Sequence, residues 1–141
     1  MGPSKSKDAA ITLGSWLVTA DEVAHRVGDG RLALRTEVRL NGERVGGDVT
    51  SNLSWSFAEL VTHASRGTVV RPGDVLGSGT CGTGCLAELT RSQPDTAPDW
   101  LRVGDLVRIE VEELGVIGNR LVPGAEPVEI SAGRRRIRVE D

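Results

Sequence analysis

No run of apolar residues in this sequence approaches the ~20 that a helix needs to cross a bilayer, so no membrane role is expected. The first eight residues, Met-Gly-Pro-Ser-Lys-Ser-Lys-Asp, carry positive charge but no apolar segment behind it, and are not expected to act as a secretory signal. Positive charge is not in excess either, with 17 Lys and Arg against 20 Asp and Glu. A net charge of −3 and a pI near 5.4 remove the general electrostatic case for nucleic-acid binding. Two cysteines, Cys81 and Cys85, are too few for a disulfide framework, which makes a reducing cytoplasm the expected compartment. Tyrosine is absent and phenylalanine occurs once, while glycine occurs 18 times and proline 6 times. That much glycine calls for many turns and favours short strands over long helices.

The strand signals are local and clear. From Leu32 to Leu40, apolar and charged residues alternate with a period of two, and Asn41-Gly42 directly afterwards is a strong hairpin signal that turns the chain back into Glu43-Arg44-Val45. Leu106–Val111 reads as a second strand, broken by Gly115 from Val116-Ile117 in another hairpin. Two similar phrases, Arg71-Pro72-Gly73-Asp74 and Arg102-Val103-Gly104-Asp105, read as one strand-entry turn used twice, the first feeding Val75-Leu76. Helices are few. Ser56-Phe57-Ala58-Glu59 is a capping box, followed by an apolar stripe of Leu53, Phe57, Leu60, Val61 and Ala64, with Gly67 to end it. Thr19 with Glu22 three residues on suggests a second helix start. Arg91–Asp99, with Pro94 and Pro98, reads as a surface loop, and the run Arg134-Arg135-Arg136 as a solvated end. The fold class is therefore β-rich, α+β, with one or two short helices.

The chemistry-bearing residues are sparse. Gly77-Ser78-Gly79-Thr80-Cys81-Gly82 matches a dinucleotide-loop spacing, but too little chain follows before the proline-rich loop to build the crossover helix such a site needs. No Gly-Lys-Ser/Thr occurs, which excludes a phosphate-binding P-loop. Cys81 and Cys85 supply only half of a tetrahedral zinc set, and His25 and His63 have no ligand spacing, so the thiols read as packing groups in a tight loop and His63 as a helix-end residue. Glu88 stands out because Leu86, Ala87 and Leu89 surround it. Such a carboxylate suits acid–base work, although the residues alone favour an outward-facing strand position for Glu88, and Lys7 alone reads as an ordinary surface lysine.

Several phrases together resemble the C-terminal half of the fumarylacetoacetate hydrolase family. They are Gly2-Pro3-x-x-x-Lys7, Leu13-Gly14-Ser15-Trp16-Leu17-Val18-Thr19, Ser65-Arg66-Gly67-Thr68, and Arg71–Thr80 continuing through Gly84-Cys85-Leu86-Ala87-Glu88-Leu89. Gly104-Asp105-Leu106-Val107 and Glu113–Asn119 echo the closing element. The resemblance spans residues 1–122 as a partial domain and leaves 123–141 as a tail. It implies a mixed β-sandwich roll and hydrolysis of carbon–carbon bonds in fumarylacetoacetate or acylpyruvate-type diketo acids, in aromatic catabolism. It also implies Mg²⁺ or Ca²⁺ as the ion that polarises a substrate carbonyl. Carried over position by position, Glu88 orients the catalytic histidine, Lys7 stabilises developing enolate charge, and Thr80 with Gly79 contacts substrate.

This sequence also departs from the family pattern. The family's histidine and its metal-binding carboxylates lie N-terminal to the Gly-Pro-x-x-x-Lys phrase, at which this sequence begins. A Gly-Thr pair after the lysine is Ala10-Ile11 here, and a proline before Trp16 is Ser15. The resemblance therefore implies a fragment or truncated member of the family that holds no metal ion alone and is inactive alone. A non-catalytic assembly or small-molecule-binding domain is the alternative. Either way the missing half leaves apolar surface, so a homo-oligomer or a complementing chain is expected.

Overall fold

Alternating apolar and charged residues are satisfied by a strand with one face turned inward, and two such segments form the centre of this molecule. The computed structural model describes residues 10–126 together with Val128, Glu129 and Gly133. A short ribbon of β1 (Val27–Gly28) and β2 (Arg31–Leu32) leads into a four-stranded antiparallel sheet of β3 (Thr36–Leu40), β4 (Glu43–Gly46), β5 (Leu106–Val111) and β6 (Gly115–Arg120), ordered β4-β3-β5-β6. Helices α1 (Phe57–Ala64) and α2 (Leu86–Ser92) lie in the long connection between β4 and β5. The fold is thus the β-rich α+β class expected from sequence.

Both hairpins follow from their turn residues. Asn41 and Gly42 take φ of 52° and 92°, the left-handed pair that a two-residue hairpin turn requires. The Asn41 side chain then does more than turn the chain: Nδ2 donates to Asp105 Oδ1 and Oδ1 accepts from the Leu106 amide, both at 2.9 Å, docking the start of β5 beside the end of β3. The register sets Val38 opposite Ile109 and Ile109 opposite Ile117, which makes one apolar face. On the other face Glu37 lies opposite Glu110 and Arg39 opposite Arg108. Like charges across a pair are unfavourable. Here they are offset along each strand, where Arg39 pairs with Glu37 and Arg108 with Glu110 at 3.0 Å.

The core is small. Among the described residues the buried hydrophobic side chains are Val23, Leu34, Val38 and Leu89, with Leu34 fully enclosed. The capping box of α1 forms as its sequence predicts: Ser56 Oγ accepts from the Glu59 amide at 3.3 Å and Glu59 Oε2 accepts from the Ser56 amide at 2.7 Å. Gly67, with φ of 69°, redirects the chain just past the helix end. Yet no residue of α1 is buried, and its apolar stripe is left open at Phe57 and Val61.

Four local expectations are corrected. The Thr19 start closes only one turn, Glu22 N–H to Thr19 O at 3.1 Å, before a 3₁₀ turn at Ala24–Arg26 and the Asp29-Gly30 reversal, because no helical apolar stripe follows it. Val75-Leu76 is irregular and exposed, and it pairs with no strand among the described residues. The strand expected over Leu32–Leu40 is interrupted at Ala33-Leu34, where the chain bends to bury Leu34. Glu88 lies in α2, not in a strand. Leu-Ala-Glu-Leu-Thr-Arg-Ser is rich in strong helix formers, and Leu89 is the side chain that α2 seats in the core. Lys7 and the arginine run 134–136 lie outside the described residues.

Candidate functional site

The loop from Gly77 to Cys85 has no regular structure of its own, so its shape depends on what pins it to the sheet. Two residues do this. Asp48, just past β4, accepts from the Val49 amide at 2.7 Å and from Asn52 Nδ2 at 2.6 Å. The Val49 amide first, then the Asn52 side chain and the Gly82 amide, hold the Asp48 carboxyl below the ordinary carboxylate range. A Cβ at Gly82 would overlap Asp48 Oδ2, so a larger residue there would displace that carboxylate. The second pin is Thr83. Its Oγ1 accepts from the Gly47 amide at 3.0 Å and donates to the Gly47 carbonyl at 3.2 Å.

Pinned in this way, residues 78–82 form one wall of a groove of about 630 Å³. Val38, Ile109 and Val111 form its floor, and Leu53 and Phe57 the facing wall. An apolar floor with a few polar groups converging on it, at this size, is the usual form of a small-molecule site.

Gly79 and Thr80 both line the groove, and Gly79 has a φ of 87°, which turns the loop over it. Glu88 does not line it. It is exposed in the first turn of α2, and its Oε1 accepts the Thr83 amide at 3.1 Å. Thr83 is thus the link between the expected carboxylate and the expected substrate loop. Cys81 and Cys85 are free thiols, both half-buried in the same loop. His63 is in the last turn of α1, and His25 lies 3.3 Å from Glu113 Oε2 on the β5–β6 turn. Asp48, Thr83 and the pair Gly46-Gly47 had no individual signal in the sequence beyond Gly-Gly-Asp directly after a strand.

Mg²⁺ and Ca²⁺ need about six oxygens with several carboxylates converging. Among the described residues no group of three or more His, Cys, Asp or Glu side chains is close enough to hold a metal ion. The carboxylate nearest the groove, Asp48, is already committed to three donors. These residues do not by themselves fit the ion that the family resemblance implies. No helix among the described residues is long and apolar enough to cross a membrane.

A β-rich scaffold that pins a glycine-rich loop over a groove of small-molecule size is the class that fold and site define. The chain belongs to the fumarylacetoacetate hydrolase family: residues 1–122 match the pattern described as "Fumarylacetoacetate (FAA) hydrolase C-terminal". It is similar to the mitochondrial oxaloacetate tautomerase FAHD2B of Bos taurus, 34% identical over 119 residues that cover 84% of this chain and 34% of that protein. The mitochondrial oxaloacetate tautomerase fahd2 of Xenopus laevis is 32% identical over 121 residues, covering 84% and 33%. The oxaloacetate tautomerase YisK of Bacillus subtilis is 28% identical over 118 residues, covering 83% and 35%. The chain therefore spans about a third of the length of these relatives.

Proposed function

We propose that the chain forms the C-terminal wall of a site for small keto acids of the oxaloacetate, acylpyruvate or fumarylacetoacetate type. Such acids share a carbon flanked by two carbonyl groups, whose proton is unusually acidic. Tautomerisation moves that proton through an enolate. Hydrolysis of the adjacent carbon–carbon bond adds water to one carbonyl, releases it as a carboxylic acid and expels the central carbon as the enolate of the other carbonyl. One wall that holds the two carbonyl oxygens serves either reaction, and the relatives' printed activity favours tautomerisation as the first one to assay. The observation that carries this reading is the position of Gly79 and Thr80 on the groove, in a loop pinned to the sheet at Gly82 and Thr83.

In this reading the Thr80 hydroxyl and the Gly79 amide bind a substrate oxygen. Lys7 offsets enolate charge. Glu88 orients a histidine and fixes its tautomer. That histidine, and the carboxylates for Mg²⁺ or Ca²⁺, are supplied by residues other than those described, which hold no such set. A bound ion would supply charge to polarise the carbonyl.

The test combines this chain with a second polypeptide covering the remaining two-thirds of a relative, Mg²⁺, and either oxaloacetate or an acylpyruvate. Enol absorbance reports the first reaction and NMR of the cleaved products the second. Turnover is expected only from the pair. Glu88→Gln should lower it ~10²-fold, by analogy with other carboxylates that orient a histidine. Lys7→Met should lower it as well, and Cys81→Ala and Cys85→Ser should have mild effects. A rate unchanged in Glu88→Gln but abolished in Cys85→Ser would overturn the assignment.

A second reading, an assembly domain without chemistry of its own, is favoured by the exposure of Trp16, Trp55 and Trp100 at 70%, 62% and 64%. Side chains of this kind anchor interfaces when covered. In this reading too the partner is the complementing chain or a second copy. Light scattering that finds a monomer at every concentration, together with no mass change when the complementing polypeptide is added, would remove it.

A further inference from the structure

We infer that Thr83 is a positioning residue that ties the Glu88 carboxylate and the Gly79–Thr80 loop to the end of β4 as one unit. The inference rests on the role proposed for Glu88, and its test separates the two.

The argument starts from where the strain falls. Thr83 has a φ of 56°, a left-handed conformation that a β-branched residue rarely adopts. It is flanked by Gly82 and Gly84, either of which takes that conformation freely, and neither is among the positive-φ glycines. The chain places the strained angle on the one residue of the three that has a side chain. What that position requires is therefore the side chain, and its hydroxyl is fully used, accepting from the Gly47 amide and donating to the Gly47 carbonyl.

The sheet is shaped to receive it. A Cβ at Gly46 would overlap the Thr83 carbonyl, so the end of β4 is glycine where Thr83 packs against it. On its other side Thr83 donates its amide to Glu88 Oε1 at 3.1 Å. Cys85, the N-cap of α2, gives that helix no side-chain cap, and Glu88 turns back past it to reach Thr83. A capping role for Glu88 alone requires an amide and no more. The hydroxyl clamp on Gly47 fixes where that amide stands, and through it the carboxylate. Strain of this type persists only where surrounding bonds over-determine it, and it concentrates at functional sites.

The test follows the residue-83 amide by NMR in the labelled, full-length chain. Glu88→Gln replaces the charged acceptor of this amide by a neutral one, so at constant pH the residue-83 amide signal should shift between the wild type and Glu88→Gln. Thr83→Val keeps the shape and drops the hydroxyl; its residue-83 amide should no longer follow Glu88, and Thr83→Ser should restore the response. Gly46→Ala displaces the Thr83 carbonyl without touching Glu88 and should cause the same loss, as an independent second variant. Dispersed amide signals from β3 and β5 verify that each variant is folded. A wild-type amide that ignores Glu88, or one that still follows it in Thr83→Val, overturns the inference.

In the two-polypeptide assay, Thr83→Val should lower kcat about tenfold or more with KM little changed, and Thr83→Ser should recover it. A loss in Glu88→Gln with none in Thr83→Val sinks the positioning role and leaves the proposed function standing. No loss in Glu88→Gln sinks the proposed function itself, whatever the amide reports.

Discussion

The sheet and the long connection between its second and third strands contrast in what completes them. In the sheet every strand is paired from β4 to β6, with one shift of register against β4 between Val38 and Arg39, Val38 is buried at its centre, and the Asn41 side chain joins the β3–β4 turn to the start of β5. In the connection, α1 has a complete capping box, an apolar stripe and a glycine stop, and still buries nothing. Only α2, through Leu89, is seated. Local signals are enough to start a helix or reverse a strand. Stability comes from a partner surface, and most of the connection has none within the described residues.

The largest expected effect tests that difference directly. Leu34→Ala empties the fully enclosed position and should cost about 2–5 kcal/mol, the usual range for a buried leucine whose surroundings collapse only partly. Val61→Ala, on the uncovered stripe of α1, should cost less than about 1 kcal/mol. Urea unfolding with an unchanged m-value measures both. Similar losses at the two positions would mean that α1 is packed in solution against something this chain supplies. If only the complementing chain raises the cost of Val61→Ala, the missing cover is that chain.

A smaller effect follows from the carboxylates. Asp105 is held below its ordinary range, first by the Asn41 side chain and then by the Arg102 amide. Glu113 is held down by the Arg26 guanidinium, which reaches it at 2.8 Å and also binds Glu112 at 3.1 Å. A carboxyl whose folded pKa is lowered stabilises the fold above its unfolded pKa and loses that contribution as pH falls through the folded value. The thermal midpoint should therefore be level above about pH 5 and fall progressively below about pH 4. In Asn41→Ala, which removes the largest influence on Asp105, the fall should be shallower. An unchanged pH slope in that variant would show that the sheet does not depend on the bridge between its turns. Glu59, held down by its Ser56 bonds, belongs to α1 and should contribute to helix content more than to the midpoint.

What was legible in the sequence divides along the same boundary. Asn41-Gly42, the alternation over 106–111 and the Ser56–Glu59 box were readable because each is complete within a few residues. Val75-Leu76 has strand composition but pairs with no strand among the described residues, and the apolar neighbours of Glu88 suit a strand until Leu89 is seen to face the core. At the site, Gly79 and Thr80 came from family resemblance. Asp48 and Thr83 escaped because their function is a bond across the fold: Thr83 reaches Gly47, 36 residues away, and Asp48 takes the Gly82 amide. No spacing within the chain announces such a pair.

The finest form of the comparison is a turn made twice. In Arg71-Pro72-Gly73-Asp74 and Arg102-Val103-Gly104-Asp105 the aspartate amide donates to the arginine carbonyl at 3.1 Å in both. The arginine amide returns a bond to the aspartate Oδ2, at 2.8 Å and 2.7 Å. The glycines take φ of 101° and 99°, as the third position of such a turn requires. Identical chemistry then has different consequences. Asp105 also holds Asn41 Nδ2, and its carbonyl accepts the Leu121 amide at 2.8 Å, so the second turn is tied to β3 and to the chain leaving β6. Among the described residues Asp74 holds only its own turn, and Val75 beyond it is 73% exposed. Asp105→Ala should therefore lower the urea midpoint measurably, and Asp74→Ala should leave it within error. Asp105→Asn, which keeps an acceptor, should fall between them. If Asp74→Ala proves as costly as Asp105→Ala, the first turn is anchored to a surface outside the described residues. If its cost appears only with the complementing chain present, that chain is the surface, and the connection that carries Thr80, Thr83 and Glu88 is completed in trans.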